Sequence, residues 1–123
     1  MGVAEMVATA KGRIKNLSVD EVSAQLETDN TILVDIREPG EAVDDGTIPG
    51  SIKAPRGMIE FHADPTTPYY LSEFTPDRRI ILYCKSGGRS ALATATLLEM
   101  GYDNVAHLDG GINAWKAAQR PVT

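Results

Sequence analysis

The chain has 123 residues and a net charge of −5, a length that suits one domain around one core. The excess of 17 acidic over 12 basic side chains argues against general electrostatic attraction to nucleic acid or to an anionic membrane surface. No apolar run approaches the roughly 20 residues of a membrane span, and "MGVAEMVATAKGRIKNL" lacks the long apolar stretch of a signal peptide. In chain order, Val3, Met6, Val7, Ala10 and Ile14 recur at near-helical spacing, which predicts an amphipathic helix over residues 3–14. Residues 1–14 read as a helical extension and residues 15–123 as the domain. "NLSVDEV" predicts a helix start, with Ser18 as cap, Glu21 completing a capping box, Leu17 and Val22 as a hydrophobic staple, and an end near Glu27. "TILVDI" is a short β-branched apolar run, the pattern of a strand buried on both faces. "REPGEAVDDGTIPGS" is broken by prolines and glycines and reads as loop with at most one helical turn; Asp44 and Asp45 read as solvated loop charges.

"SIKAP" is a weak strand pattern, "RGMIEF" a helical turn, and "HADPTTPYYLSEFTPDRR", with three prolines, a surface excursion. "IILY" is the clearest strand. "SALATATLLEM" is a helix with Ala91, Ala95 and Leu98 on one face and Gly101 placed to end it. "NVAHL" is a strand, "DGG" a tight turn, and "INAWKAAQ" a closing helix stopped by Pro121, with Trp115 in the core. Strands alternating with helices at this spacing imply βα units, a parallel sheet and an α/β fold.

The only cysteine, Cys84, directly follows "IILY". It can form no internal disulfide, so a reducing, cytoplasmic setting is expected. Ligands of open α/β sheets bind at the carboxyl ends of the strands, which is where Cys84 stands. Ser86, Gly87 and Gly88 carry little side-chain bulk, and a glycine-rich turn into a helix can aim consecutive N–H groups at one point. An anion there is stabilised, and the first anion available is the Cys84 thiolate. Lys85 and Arg89 add positive charge, the setting that favours a thiolate nucleophile. Without those flanks the bland reading, a small core residue, would prevail. A Cys–His pair would need His62, in the excursion, or His107, inside a strand, and both read as ordinary polar residues. No cluster of cysteines and histidines points to a metal, and no cofactor is expected. Gly110–Gly111 has no phosphate-loop continuation and reads as a strand-to-helix turn.

"ILVDIREPGE", "GTIPGSIKAP", "ILYCKSGGRSALATATLLEMGY" and "NVAHLDGGINAW" together resemble a single-domain rhodanese, a sulfurtransferase, over roughly residues 15–120. The resemblance implies a five-stranded parallel sheet flanked by helices, the fifth strand lying near "IKNLS". It also implies a relay in which Cys84 takes the outer sulfur of a donor such as thiosulfate and becomes a persulfide. The amides of Lys85, Ser86, Gly87, Gly88 and Arg89 then hold that sulfur, and cyanide, a thiol or a protein acceptor removes it. Lys85 is expected to meet an anionic donor at the loop mouth. Arg89 is expected either to do the same or, by a small margin, to anchor the loop. Asp35 and Arg37 are expected to form a structural ion pair, and Ser90 to cap the helix or bond to the loop. The family often has a histidine where this chain has Thr47. A phosphatase or arsenate reductase would use a loop one residue longer than the four between Cys84 and Arg89. A noncatalytic binding module would typically have lost the cysteine.

Overall fold

The computed structural model describes all 123 residues. Five strands form one sheet: β1 (Lys15–Leu17), β2 (Thr31–Asp35), β3 (Ile52–Lys53), β4 (Arg79–Tyr83) and β5 (Val105–Leu108). Their order is β1-β5-β4-β2-β3, and every pairing is parallel. The six helices are α1 (Val3–Lys11), α2 (Val19–Gln25), α3 (Pro39–Asp45), α4 (Ile59–His62), α5 (Gly88–Glu99) and α6 (Gly111–Ala117). The expected α/β fold and its five-stranded parallel sheet are therefore present, including the short strand at "KNL".

Side-chain alternation divides the core between the two faces of the sheet. Ile80, Leu82 and Val105 turn to one face and pack with Ala93, Leu97 and Phe74. Ile81, Tyr83 and Ala106 turn to the other and pack with Val22, Ile112 and Trp115. The α2 start is as the sequence indicates: Ser18 Oγ accepts from the Glu21 amide at 3.2 Å, and Glu21 accepts from the Ser18 amide at 2.9 Å. Leu17 and Val22 lie in one cluster, although α2 ends at Gln25, two residues earlier than expected.

Three expectations need correction. Residues 39–45 form α3, almost two turns, where mostly loop was expected. Pro39 is pre-set for a first helical position, and Glu41 accepts from the Glu38 amide at 2.9 Å, so the proline starts the helix instead of breaking it. Asp45 is no free loop charge, because it pairs with Arg37 at 3.4 Å and with Lys116. The first helix stops at Lys11, and Met6 is exposed. Its inner side is Val7 and Ala10, which pack with Ala91 and Ala95 of α5. In the excursion, Phe74 is fully buried and Tyr102 Oη donates to the carbonyls of Ala63 (2.6 Å) and Phe74 (3.3 Å). Those bonds tie the segment down near the amino ends of β4 and β5, away from Cys84.

Candidate active site

Three turns meet at the carboxyl edge of the sheet: residues 35–37 after β2, residues 84–88 after β4 and residues 109–111 after β5. The central one carries Cys84. Gly87, with φ 105°, provides the left-handed step from which α5 departs at Gly88. The helix thus begins two residues before Ser90, and Ser90 is no cap.

The Cys84 thiol is 1% exposed and lies inside the turn. Its Sγ accepts from the Gly87 amide at 3.2 Å and from the Ser90 amide at 3.4 Å, and stands 3.5 Å from Ser90 Oγ. The amides of Lys85, Ser86, Gly88 and Arg89 find no acceptor in the protein. On its opposite side the loop is held through its carbonyls. The Ile112 and Asn113 amides at the start of α6 donate to the Cys84 and Lys85 carbonyls, both at 3.0 Å. With its carbonyls held there, the loop spends two amides on the sulfur and leaves four without an acceptor. Gly111 makes the approach possible: at φ 62°, a Cβ would lie 2.4 Å from the Lys85 oxygen. The glycine pair is the expected turn, and it also clamps the cysteine loop, which its spacing did not disclose.

The two cations flanking the loop have different surroundings. Arg89 places Nη1 and Nη2 on the Glu41 carboxylate at 2.8 and 2.9 Å. This guanidinium holds the Glu41 carboxyl down to about 2. Arg89 is therefore the anchor between α5 and α3, the option slightly favoured from sequence. Lys85 is exposed, and its ammonium forms no ion pair, beside Glu41, Asp44 and Asp45.

Asp35 and Arg37 form the expected ion pair, at 2.9 and 3.0 Å and with both side chains buried. Arg37 also donates to the Gly46 carbonyl at 2.7 Å and lies 5.6 Å from the centre of the Tyr83 ring. The pair fastens the β2 end to the end of α3 and makes no side-chain hydrogen bond or ion pair with Cys84 or its loop.

His62 stands apart and bonds to the Tyr69 carbonyl. His107, read from sequence as an ordinary strand residue, is fully buried with Nδ1 2.8 Å from Ser90 Oγ. The parallel register that brings β5 beside β4 was the missing information, since His107 is 23 residues from Cys84 in the chain.

The chain is thus a parallel α/β domain with its single, buried cysteine in the loop after the central strand. The rhodanese-like domain family matches residues 18–118. A sulfurtransferase of Allochromatium vinosum is 36% identical over 110 residues, covering 89% of this chain and 94% of its own length. The thiosulfate sulfurtransferase GlpE of Pseudoalteromonas translucida is 31% identical over 104 residues, covering 85% and 90%. Among solved structures, a Rhodopseudomonas palustris protein of unknown function, described as a "possible tyrosine phosphatase", matches with TM-score 0.95 and 39% identity over 100% of this chain and 95% of that one. A thiosulfate sulfurtransferase from Pseudomonas aeruginosa matches with TM-score 0.76 and 28% identity, covering 93% of this chain and 21% of that one. The present chain belongs to the rhodanese-like family.

Proposed function

We propose that this protein is a sulfurtransferase that carries a sulfane sulfur on Cys84, from a donor such as thiosulfate to a thiol, cyanide or a protein acceptor. The observation that carries the reading is a single buried thiol that accepts from its own loop's amides, in a loop whose other amides are unspent. Two already reach Sγ, and four more have no acceptor. Preorganised donors of this kind stabilise charge that develops on a substrate atom. In the first step the thiolate attacks the outer sulfur of thiosulfate, an S–S bond forms to Cys84, and sulfite leaves with the electron pair of the broken bond. In the second step an acceptor thiolate or cyanide attacks that outer sulfur, and Cys84 departs as the thiolate. One cysteine suffices for both.

Phosphoryl transfer is less well served. Only four residues separate Cys84 from Arg89, and the Arg89 guanidinium is committed to Glu41 instead of standing open for phosphate oxygens. The test is intact mass spectrometry. Thiosulfate should add one sulfur atom, cyanide should remove it as thiocyanate, and Cys84→Ser should show neither while remaining folded. Normal turnover by the serine variant would refute the proposal.

A further inference from the structure

Behind the thiol runs a chain of hydrogen bonds whose donor directions can be assigned. Asn16 Nδ2 donates to the Lys11 and Ile14 carbonyls at 2.9 and 3.3 Å. Its Oδ1 therefore faces His107, 2.7 Å from Nε2, and accepts the Nε2 proton. In the neutral ring this leaves Nδ1 as an acceptor, and the only hydrogen beside it is that of Ser90 Oγ, at 2.8 Å. The alternative acceptor for Ser90, the Gly87 carbonyl, is far weaker at 3.4 Å, and using it would set two lone pairs against each other across 2.8 Å. Ser90 thus gives its proton to His107 and offers Cys84 lone pairs, an arrangement that suits a thiol and repels a thiolate.

We infer that His107 is a positioning residue that accepts the Cys84 proton through Ser90, so that the reactive thiolate exists as one half of a serine-bridged thiolate–imidazolium pair. The Cys84 S–H bond breaks as a new O–H bond forms on Ser90, and the original Ser90 proton passes to His107 Nδ1. No atom changes oxidation state, and the pair stays neutral overall. Ser90 then donates to the thiolate and accepts from the imidazolium, so every buried polar atom keeps a partner. The inference concerns the nucleophile of the proposed transfer and rests on Cys84 being that nucleophile.

The charges facing the ring do not supply this proton affinity by themselves. Lys11 at the end of α1 and Asp109 after β5 act on it with opposite signs and pair with each other at 3.0 Å. From β1 the ring meets neutral Asn16, from α5 Ser90, and from the loop the uncharged Gly87, with Cys84 standing beyond Ser90. With the thiol neutral, burial holds His107 down to about 4. An ionised sulfur two hydrogen bonds away is the counter-charge that a buried imidazolium requires.

Linkage makes the test reciprocal, because each titration must move the other equally. The pH profile of Cys84 alkylation by iodoacetamide is measured in the parent and in His107→Asn, which keeps an oxygen for Ser90 and cannot take the proton. At neutral pH the variant should react at least about tenfold more slowly, its profile displaced upward by about one pH unit or more. Imidazole 15N NMR should show His107 keeping its Nδ1 proton to a correspondingly higher pH in the parent than in Cys84→Ser. Both shifts should vanish in Ser90→Ala. Coincident alkylation profiles, or a His107 titration unmoved by Cys84→Ser, would overturn the inference. Should His107→Asn not fold, the NMR comparison decides alone. Linked titrations without sulfur uptake from thiosulfate would overturn the sulfur-transfer reading and leave this one standing.

Discussion

Lys85 and Arg89 show how two cations in one loop come to different duties. Arg89 offers a planar fork that matches a carboxylate, and Glu41 fills it. Lys85 is a flexible point charge at the exposed rim, with no ion-pair partner. In the relay proposed above, its contribution is to attract and orient an anionic donor. Lys85→Ala should raise KM for thiosulfate several-fold with little change in stability, and the difference should shrink as salt rises. A salt profile identical to that of the parent would remove Lys85 from donor binding. Glu41→Gln tests the neighbouring contact. Losing a half-exposed ion pair should cost no more than about 1 kcal/mol of stability, yet turnover should fall several-fold because α5 loses its tether to α3. Chemical denaturation and steady-state assays on the same preparation separate the two effects.

At the scale of elements, the site is the junction of β4, α5 and α6. The number of loop residues sets how many amides can reach one sulfur. Inserting a glycine between Ser86 and Gly87 widens the turn, and each lost donor can cost roughly 2.7–4 kcal/mol of transition-state stabilisation. Thiosulfate:cyanide turnover should fall by at least about a hundredfold, with far-UV circular dichroism unchanged. A folded insertion variant with full activity would show that loop size does not select sulfur. The sequence displays this junction unevenly. Cys84, its glycines and the following helix were legible because they are contiguous and their chemistry is local. Glu41, Asn16 and His107 were not, since their roles come from strand order and register. The α3 helix was missed for a different reason: Pro39 and Gly40 look like breakers until the proline is placed at a helical start.

For the whole molecule, the two groups held furthest below their ordinary values set the response to acid. His107, at about 4 against an ordinary 6.5, is fully stabilising above about 6.5, and that stability is lost as pH falls towards 4. Glu41, at about 2 against 4.5, loses its contribution between about 4.5 and 2. Both losses run in the same direction, so acid unfolding should begin with the histidine. In the Cys84→Ser protein, where no thiolate stands near the ring, the first loss should amount to on the order of 2–3 kcal/mol. Denaturant midpoints measured against pH should show it, and adding His107→Asn should abolish it. A pH-independent midpoint over that window would contradict the burial-driven shift.

The grip of α6 on the Cys84 and Lys85 carbonyls bears on modularity. A loop whose shape is dictated from behind cannot be transplanted as a short peptide. Moving residues 84–90 alone onto another parallel sheet would carry over the chemistry and leave behind the mould. The smallest portable unit is two separated pieces, residues 84–90 and residues 110–113, held in register by neighbouring strands. A designer who wished to reshape the cradle would have to recut both pieces together, and Gly111, which packs on the Lys85 and Cys84 carbonyls, would be the position allowing least freedom.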